Sequence, residues 1–538
     1  MYSTKENIAI LCDLLLQHGI HHVVCCPGSR NAALVHNFDV HPEFICHAAT
    51  DERSAGFLAL GLTLQTGRPA AVCVTSGSAL LNVLPAAAEA TYQHQGILVI
   101  SADRPEAWID QLDGQTLPQP GALGRFAPKC VNLPEPATDE QRWLCNRLTN
   151  EALLALTGKS RPSVHINVQL SEPLFDFSLP ELPHQRAVRR CTIGQALAMY
   201  TQAKRPMMVC GQATGLENEL YDQIGHTTLL TEPLSSDCGN ITDAILAALP
   251  DDITPFLPDC LIYMGGHTVS KRLRQFLRRL PEQTTVIMVN PEGKLQDVTQ
   301  HATHLLEVEP KALFRAIEHE TLPYTDFQLT WAMFIEEAVE RFNSVIPDYS
   351  QALAVKLFEE QCYKEGDTVF YANSTAVRLA AFYASHHCHC NRGLNGIEGS
   401  LSTAAGAAMA DADQRIYCVI GDLSFFYDQN ALWPEELGGN LRILLLNNGG
   451  GGIFRQLPGL EQSAALGSYI AASHHATAQG ICQQFGVSYL TATDATTLTE
   501  GLKQLQSMAS DRPVLLEVFT DAQADSITYA KLMKAAQK

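Results

Sequence analysis

Asp422 and Asn448 lie 26 residues apart, and each follows closely on an apolar run that is typical of a buried strand. The two runs are Ile416–Ile420 and Ile443–Leu446. Residues just beyond the strand ends of an open parallel sheet share one edge, so we expect these two side chains to lie side by side. A carboxylate, an amide oxygen and the backbone carbonyl of Gly450 are hard oxygen ligands of the kind that Mg²⁺ prefers. The spacing therefore predicts a magnesium site that keeps open positions for phosphate oxygens, with Mn²⁺ as an alternative metal.

The turn Gly421–Ser424 leads from the first of these strands into a helix, where backbone N–H groups can bind phosphate. An ordinary strand–turn–helix, in which Asp422 caps the helix, is the structural alternative. A Gly-Asp pair followed by Asn-Asn at this distance resembles the diphosphate-binding motif of thiamine-diphosphate enzymes, although Leu423 stands where most members have glycine. The resemblance implies that the cofactor is bound by Gly421, Asp422, Leu423, Ser424, Asn448 and Gly450, together with Ser374.

A thiamine cofactor needs a carboxylate that hydrogen-bonds its pyrimidine ring, in a mostly apolar place where the pKa of the acid rises toward neutrality. The candidate is Glu52, which follows the strand-like run Phe44–Ala48 and precedes the apolar helix Ala55–Leu64. Taken alone, the Asp51-Glu52 pair is more typical of the charged start of a helix. The magnesium motif makes Glu52 the predicted catalytic residue.

The two rings of such a cofactor must be bent toward each other, and a bulky aliphatic side chain commonly wedges between them. Ile397, in the glycine-containing segment Asn391–Gly399, is the candidate for this position. A core isoleucine between two glycines is the structural alternative.

Several further segments resemble those of one family, the 2-succinyl-5-enolpyruvyl-6-hydroxy-3-cyclohexene-1-carboxylate synthases, which are thiamine-diphosphate enzymes of menaquinone biosynthesis. The matching segments cover the first and last parts of the chain well and the middle part mainly at Ser270–Leu273. Any one of these motifs is weak, but together they are specific. They are Pro27–Asn31, Thr75–Ser78, Ala102–Glu106, Gln119–Gly121, Asn391–Gly393, Gly396–Gly399 and Gly421–Ser424.

The resemblance implies decarboxylation of 2-oxoglutarate and 1,4-addition of the resulting four-carbon carbanion to isochorismate, with the electron sink supplied by the cofactor. Both substrates are dicarboxylates, so the site must present several cations, and arginine suits two-pronged carboxylate binding. By this resemblance, the carboxylate derived from 2-oxoglutarate is held by Ser374, Arg378 and Arg392. Isochorismate is held by Ser29, Arg30, Arg104, Gln115, Lys271 and Arg272, with Phe454 and Leu457 as an apolar wall.

A solvated charged surface is the alternative interpretation of these cations. Arg30 and Arg104 follow strand-like runs closely, which favours a role in a site. Lys271 and Arg272 open a basic stretch that is also consistent with a plain charged helix face. Gly114 stands where the family tends to have asparagine, so the side chain expected to make one substrate hydrogen bond is missing.

The elements that position these residues alternate between strand-like and helical along the chain, which predicts an α/β fold of parallel sheets with helices on both faces. The length of 538 residues suits three domains. Polar connections at Glu172–Arg190 and Phe342–Gln351 divide the chain. We predict doubly wound domains at 1–180, 190–340 and 350–538. The resemblance makes them pyrimidine-binding, central Rossmann-like, and diphosphate- and magnesium-binding domains of the thiamine-diphosphate-binding fold.

The start of the first helix is predicted from a local pattern. Ser3–Glu6 reads as a capping box, in which the first and fourth side chains satisfy backbone donors at a helix start. Apolar residues at helical spacing follow it, and Gly19 can end the helix.

The chain has 37 basic and 57 acidic residues, a net charge of −20, which argues against a general nucleic-acid binder or a polybasic membrane anchor. A local arginine cluster can still bind small anions. There is no apolar run of about 18 residues, so no transmembrane helix is expected. Met1–Gln17 lacks the layout of a signal peptide, and the 16 cysteines show no framework spacing. We therefore expect reduced thiols in a cytoplasmic protein.

Three motif-like segments point elsewhere and are set aside. Gly265–Lys271 lacks the Gly-Lys-Ser/Thr order of a phosphate loop, and Gly449–Gly452 lacks the glycine order of a dinucleotide fold. His386–Cys390 has metal-binding residue types, but alternate residues on a strand point to opposite faces. A polar strand edge is therefore the favoured interpretation over a zinc site.

Two other functions compete with the synthase. Another thiamine-diphosphate-dependent 2-oxoacid decarboxylase or acetolactate-type carboligase would not require so many arginines, and the latter should carry a flavin site, which we cannot identify. A non-catalytic binding protein is disfavoured because Glu52, Asp422 and Asn448 are all present. In the superfamily that this chain resembles, the cofactor bridges the first domain of one chain and the third domain of its partner. We therefore predict a homodimer or a dimer of dimers.

Overall fold

The computed structural model describes residues 1–212, 214, 227–235, 241–318, 324–457 and 459–537. By internal contacts the chain divides into two compact units. Unit 1 comprises Met1–Thr192 and Asn290–Glu307, and unit 2 comprises Ile193–Val289 and Val308–Lys538. This division does not test the three domain boundaries expected from the sequence, which stay a prediction.

Unit 1 is built on a parallel sheet. Its strands are β1 (His22–Cys25), β2 (Ile45–Ala48), β3 (Ala71–Val74), β4 (Leu98–Asp103), β5 (Lys129–Leu133) and β6 (Val164–Gln169). They lie in the order β2-β1-β3-β4-β6-β5. Cys25 pairs with Ala48 on one side and with Cys73 on the other, so β1, β2 and β3 end nearly level. The segments that follow these strands therefore meet at one edge of the sheet.

The helices of unit 1 cover both faces of this sheet. They are α1 (Glu6–Gln17), α2 (Ala32–Val40), α3 (Glu52–Thr66), α4 (Ser78–Asn82), α5 (Leu84–Tyr92) and α6 (Asp139–Leu156). Val23 and Cys25 belong to one buried apolar cluster, and Val24 and Cys26 belong to the other. Because successive strand residues point to opposite faces, a strand that is apolar at every position is buried on both sides.

The predicted capping box at the amino terminus is wrong. Helix α1 begins at Glu6, and its N-cap residue, Lys5, makes no side-chain capping bond. The backbone N–H of Ser3 donates to Asn37 Oδ1 at 2.7 Å, which ties Ser3 to α2 ahead of the helix. The predicted end of the helix is confirmed, since Gly19 follows the C-cap residue with φ +74°.

Unit 2 contains two further parallel arrays. The first consists of β8 (Pro206–Cys210), β9 (Thr228–Leu230), β10 (Cys260–Met264) and β11 (Thr285–Val289), in the order β11-β10-β8-β9. The strands β7 (Arg189–Cys191) and β12 (His304–Leu306) pair with each other in unit 1. The helices of this part of the chain are α7 (Ile193–Gln202), α8 (Thr242–Ala247), α9 (Lys271–Leu277), α10 (Pro310–Ile317) and α11 (Asp326–Asn343).

The second array of unit 2 carries the carboxy-terminal motifs. Its strands are β13 (Thr368–Tyr371), β14 (Ile416–Gly421), β15 (Leu441–Asn447), β16 (Ser488–Ala492) and β17 (Val514–Phe519), in the order β13-β14-β15-β17-β16. The helices are α12 (Gln351–Gln361), α13 (Thr375–Tyr383), α14 (Ser400–Ala410), α15 (Asp422–Tyr427), α16 (Gln479–Phe485), α17 (Ala495–Ser507) and α18 (Ala522–Gln537).

These parallel sheets with interleaved helices confirm the predicted α/β class. The segment His386–Cys390 runs beside β13, where His389 forms a parallel bridge with Phe370. Among the described residues, no group of three or more His, Cys, Asp or Glu side chains is arranged to hold a metal ion. The interpretation of His386–Cys390 as a polar strand edge stays a prediction. None of the described helices combines the length and apolar character needed to cross a membrane.

Candidate active site

The carboxylate of Asp422 lies at the first residue of α15, directly after β14, with its side chain 5% exposed. Its Oδ1 accepts the backbone N–H of Leu423 at 2.7 Å. Its Oδ2 accepts the backbone N–H groups of Asn448 at 3.2 Å and Gly450 at 2.9 Å. Because β14 and β15 pair in parallel, one helix-plus-strand excursion brings the two predicted motifs together.

The electrostatic surroundings of Asp422 leave room for a cation. Burial raises the pKa of Asp422 above its usual range, and the backbone N–H groups around it oppose that rise. His474 Nε2 lies 3.4 Å from Asp422 Oδ2, and no lysine or arginine among the described residues pairs with this carboxylate. Burying an ionised carboxylate without a cation is costly, so a divalent ion would supply the missing charge.

The two asparagines of the Asn-Asn pair have different surroundings. Asn447 Nδ2 donates to Glu517 Oε1 at 2.7 Å, inside the core of the sheet, so Asn447 is structural. Asn448 Nδ2 donates to Asp525 Oδ2 at 2.8 Å. No described residue donates a hydrogen bond to Asn448 Oδ1, so this amide oxygen remains available as a ligand.

Gly450 is required by the backbone of this loop. Its φ is +150°, and a Cβ atom at this position would lie 2.7 Å from the carbonyl oxygen of Ala471. An L-residue would therefore be both strained and obstructed. The glycine run lets the loop turn back so that its N–H groups reach Asp422.

Ser374 has an unusual backbone at the neighbouring strand end. It precedes α13 with φ +75° and ψ −123°, and its side chain makes no capping bond. A non-glycine residue in such a conformation costs on the order of 1–3 kcal/mol, and these residues cluster at functional sites. Asn373 Nδ2 donates to the carbonyl oxygens of Asn391 at 2.8 Å and Gly396 at 2.6 Å. These bonds fix the segment that carries half-buried Ile397 to the end of β13.

Arg392 is held by hydrogen bonds within unit 2. Its Nη1 donates to Asn373 Oδ1 at 3.1 Å, and its Nη2 donates to the carbonyl oxygen of Thr268 at 3.2 Å. Burial lowers the pKa of this guanidinium below its ordinary value. Its Nε is buried without a partner, so one donor is left unsatisfied.

A cavity of about 840 Å³ opens in unit 2, and we call it the basic cavity. Its walls come from α9, α13, α18 and the 3₁₀ turn Gly452–Gln456. The charged residues that line it are Asp243, Lys271, Arg272, Arg378, Arg455 and Lys534. Three of the cations predicted to bind substrate, Lys271, Arg272 and Arg378, therefore share one cavity.

Most of these cations have no acidic partner. Arg272 pairs with Asp243 at 2.6 Å. No carboxylate of the described residues lies within ion-pair distance of Lys271, Arg378 or Lys534. A cavity that concentrates unpaired positive charge in a chain of net charge −20 is suited to a multiply charged anion.

The predicted apolar wall is brought together only in part. Leu457 lines the basic cavity, as does Ile453. The ring of Phe454 instead lies over Gly451, where a Cβ atom would come within 2.7 Å of it, and Phe454 is not part of the cavity lining. The role assigned to Phe454 from the resemblance stays a prediction.

In unit 1, Glu52 is the first residue of α3, and Asp51 caps this helix by accepting the N–H groups of Arg53 and Ser54. Glu52 Oε2 accepts Asn82 Nδ2 from α4 at 3.1 Å. The side chain is half-buried, and the apolar surroundings expected for it from the sequence stay a prediction.

Two predicted arginines are neighbours beyond β1 and β4. Burial, and then the charge of Arg104, lower the pKa of Arg30. Arg30 Nη1 donates to the carbonyl oxygen of Leu170 at 3.1 Å. Arg104 Nε lies 2.5 Å from Asp113 Oδ2, and its Nη1 donates to the carbonyl oxygen of Gln115 at 3.3 Å. The structure thus places Arg30, Arg104 and Gln115 together, and Ser29 lies beside Arg30 on an exposed turn.

Gly28 allows this turn to approach the next one closely. A Cβ atom on Gly28 would lie 2.3 Å from the Cβ of Thr75. Arg104 Nη1 also donates to Ser76 Oγ at 3.2 Å, so three loops that follow β1, β3 and β4 are packed against one another.

Comparison with known proteins gives this arrangement a family. Residues 8–121 match the thiamine pyrophosphate enzyme, N-terminal TPP binding domain, and residues 372–518 match its C-terminal TPP binding domain. A 2-succinyl-5-enolpyruvyl-6-hydroxy-3-cyclohexene-1-carboxylate synthase of Bacteroides fragilis is 43% identical over 98% of this chain and 98% of its own length. The chain belongs to this synthase family.

Other members are similar over nearly the same span. The synthase of Phocaeicola vulgatus is 41% identical over 98% of this chain and 97% of its own length. That of Desulfotalea psychrophila is 34% identical over 96% and 98%. The similarity to the synthase family therefore includes the middle part of the chain, where the sequence motifs are weakest.

Each of the two matched domains contains one of the two candidate carboxylates. Glu52 lies within the N-terminal TPP binding domain, and Asp422 and Asn448 lie within the C-terminal one. The chain thus carries both halves of a thiamine-diphosphate enzyme, and thiamine diphosphate is its cofactor.

Sequence reasoning did not single out three residues that the structure places at these sites in the synthase-family chain. His474 approaches Asp422, Asp525 holds Asn448, and Arg455 lines the basic cavity. His474 and Asp525 are distant in sequence from the residues they meet, and no spacing rule connects them. Arg455 lies in the 3₁₀ turn Gly452–Gln456. Its only signal in the sequence is a positive charge close to the glycine run.

Proposed function

We propose that this chain decarboxylates 2-oxoglutarate and adds the resulting succinyl carbanion equivalent to isochorismate in a 1,4 manner. The product would be 2-succinyl-5-enolpyruvyl-6-hydroxy-3-cyclohexene-1-carboxylate, an intermediate of menaquinone biosynthesis. Relatives with this name cover nearly the whole chain, which supports the proposal. The observation that carries it is the basic cavity, because its unpaired cations suit dicarboxylates.

The residues around Asp422 fit a divalent metal ion bound to a diphosphate. Asp422 is a buried carboxylate without a lysine or arginine partner among the described residues, and the amide oxygen of Asn448 accepts no hydrogen bond from them. Asp422, Asn448 Oδ1 and the carbonyl oxygen of Gly450 would hold Mg²⁺, or Mn²⁺ in its place. The N–H groups at the start of α15, with Leu423 and Ser424, would bind the diphosphate together with Ser374.

When bound, thiamine diphosphate supplies the electron sink for decarboxylation and for carbon–carbon bond formation. Glu52 would hold the proton that is shared with the pyrimidine ring of the cofactor. Ile397 would support the bent arrangement of its two rings. The protein contributes position and electrostatics, since neither Glu52 nor Ile397 has to form a covalent bond to the substrate.

The cations divide between the two substrates. Arg378 and Arg392, with Ser374, would bind the carboxylate that remains after decarboxylation of 2-oxoglutarate. Lys271 and Arg272 in the basic cavity would bind isochorismate, and Leu457 and Phe454 would pack against its ring. The unit 1 group of Ser29, Arg30, Arg104 and Gln115 would hold the carboxylates of isochorismate.

A homodimer would complete the surroundings of Glu52. The helix that begins at Glu52 exposes Phe57, Leu58 and Leu64 by 43%, 50% and 53%, and Leu81 on α4 is 44% exposed. A contiguous exposed apolar face commonly marks an interface. We propose that unit 2 of a partner chain covers this face, so that each cofactor meets Glu52 of one chain and the Asp422 loop of the other. A dimer of dimers would preserve the same pairing.

The decisive experiment supplies 2-oxoglutarate, isochorismate, thiamine diphosphate and Mg²⁺ to the purified protein. Loss of isochorismate absorbance together with CO₂ release in equal amounts is the expected result. Pyruvate in place of 2-oxoglutarate serves as the control for a general decarboxylase or an acetolactate-type carboligase. Faster CO₂ release from pyruvate, with isochorismate unconsumed, would replace the proposed function by that alternative.

A further inference from the structure

The carboxylate of Asp525, near the start of α18, joins three separate segments of unit 2. Its Oδ2 accepts Asn448 Nδ2 at 2.8 Å and Thr520 Oγ1 at 2.8 Å. Its Oδ1 accepts the backbone N–H of Gln351, the first residue of α12, at 2.8 Å. The carboxylate is therefore fixed by the ends of β15 and β17 and by the start of α12.

The amide of Asn448 has two chemically different ends, and Asp525 distinguishes them. A primary amide donates from its nitrogen and accepts at its oxygen, whereas an ionised carboxylate only accepts. The nitrogen of Asn448 must therefore face Asp525, and Oδ1 must face away from it. No other described residue forms a hydrogen bond with the Asn448 side chain, so this contact alone sets which end points where.

We infer that Asp525 is a positioning residue for Asn448: it holds the amide so that Oδ1 is presented as a metal ligand beside Asp422. This inference rests on the proposed function, because it takes the magnesium site as given. Partners that orient a metal ligand typically change metal affinity by about 10- to 100-fold when they are removed. The same range is expected for loss of the Asp525 carboxylate.

The test measures metal binding without turnover. The full-length apoprotein with thiamine diphosphate is titrated with Mn²⁺, and the free ion is followed by its electron paramagnetic resonance signal. Asp525→Ala is expected to weaken Mn²⁺ binding by about 10- to 100-fold. Asp525→Asn keeps one acceptor oxygen, and its Mn²⁺ affinity should fall by about tenfold. This variant can replace Asp525→Ala in the test if the alanine variant does not fold.

Two variants separate positioning from structural support. Asp521→Ala removes the carboxylate that accepts the N–H groups of Gln523 and Ala524 at the start of the same helix, but Asp521 does not contact Asn448. Thr520→Val removes the other donor to Asp525 Oδ2. Both should lower the thermal unfolding temperature while Mn²⁺ affinity stays within about twofold of the starting protein.

The outcomes distinguish the two claims. Unchanged Mn²⁺ affinity in Asp525→Ala, with the unmodified protein binding Mn²⁺ normally, would overturn the positioning role and leave the proposed function standing. Equal losses of Mn²⁺ affinity in Asp525→Ala and Asp521→Ala would show that Asp525 only stabilises α18. Failure of the unmodified protein to bind Mn²⁺ in the presence of the cofactor would instead overturn the proposed metal site.

Discussion

Glu52 in unit 1 and Asp422 in unit 2 are the two carboxylates at the centre of the proposed function, and they are held in opposite ways. Asp422 is 5% exposed in its side chain and accepts three backbone N–H groups. Glu52 is half-buried and, among the described residues, accepts one side-chain N–H group, from Asn82. The three N–H donors of Asp422 all come from unit 2, whereas we propose that the surroundings of Glu52 are completed by a partner chain.

The difference fits the roles that we propose for the two carboxylates. A metal ligand gains from a rigid cradle, because hard cations bind best where the oxygens are already placed. An acid that exchanges a proton with a ring nitrogen gains from low-dielectric surroundings, which assembly can supply.

The largest effect is expected for Glu52→Gln. The amide cannot exchange the proton that the pyrimidine ring requires, so kcat should fall by about 10²- to 10⁴-fold. Cofactor affinity should stay within about threefold, since the residues proposed to bind the metal and the diphosphate lie in unit 2. Steady-state kinetics and calorimetric titration with thiamine diphosphate measure the two quantities, with Glu140→Gln as a surface control. If cofactor affinity fell by as much as kcat, Glu52 would not differ from Asp422 in the proposed way.

Asp422→Ala should show the reverse pattern. Removal of a direct metal ligand is expected to weaken binding of the cofactor with Mg²⁺ by at least about 100-fold, more than loss of an outer partner. High concentrations of both should restore part of the turnover. Calorimetry and activity at increasing cofactor and Mg²⁺ concentrations provide the measurement, and Asp413→Ala is the matched exposed control. Unaltered cofactor affinity would show that the metal is held elsewhere.

Arg378 in unit 2 and Arg104 in unit 1 should affect different substrates. Arg378→Ala is expected to raise the KM for 2-oxoglutarate, and Arg104→Ala the KM for isochorismate. Each effect should be about 10- to 100-fold, because a hydrogen bond between charged groups contributes about 1.5–3 kcal/mol. Initial rates with one substrate varied and the other saturating give both constants. Exchange of the two effects would reverse the proposed substrate assignment.

Leu58→Glu tests whether another chain covers the exposed face beside Glu52. A charge at the centre of an apolar interface should raise the dissociation constant of the dimer by at least about tenfold. Activity per chain should then fall on dilution and return at high protein concentration. Sedimentation equilibrium and dilution assays give the two readings, with Leu329→Glu as a control of similar exposure in unit 2. Full activity from a monomer would contradict the shared site.

The smallest effect is expected for the pH dependence of stability, through a buried polar contact in the sheet of unit 1. His165 donates to or accepts from Ser101 Oγ at 2.7 Å, and burial lowers its pKa to about 4. The unfolded chain binds a proton near pH 6.5, so between pH 6.5 and 4 the unfolded state holds more protons and stability falls as the pH is lowered. His165→Gln should remove up to about 1.4 kcal/mol per pH unit of this dependence in urea unfolding. Parallel pH curves for the two proteins would exclude this contribution.

The convergence of Asp422 with Asn448 could be predicted because both residues follow strands, and parallel strands end at one edge. A helix beyond Glu52 is predicted over Ala55–Leu64, and the structure begins it earlier, at Glu52 itself, because Asp51 caps it. The neighbours of Asn448 and Asp422 could not be predicted, since Asp525 and His474 reach them through the folding of distant segments. Sequence spacing carries no information about such contacts.

Local patterns also failed where the tertiary structure competes with them. Ser3 has the residue type and spacing of a helix cap, yet its N–H bonds to Asn37 and the helix begins later. In the 3₁₀ turn Gly452–Gln456, Ile453 and Arg455 line the basic cavity and Phe454 does not, so the role that the resemblance implies for Phe454 stays a prediction. The apolar surroundings expected for Glu52 stay a prediction, because the sequence does not state whether a second chain contributes to them.

Helix α18 serves two places at once. Near its start, Asp525 holds Asn448, and further along, Tyr529 and Lys534 face the basic cavity. An inserted or deleted residue between these positions would rotate the far part of the helix by about 100° relative to the near part. Insertions and deletions should therefore be far rarer within this helix than on exposed loops. A single-residue deletion here would disrupt either the proposed metal site or the proposed anion site, even though every contributing side chain remained.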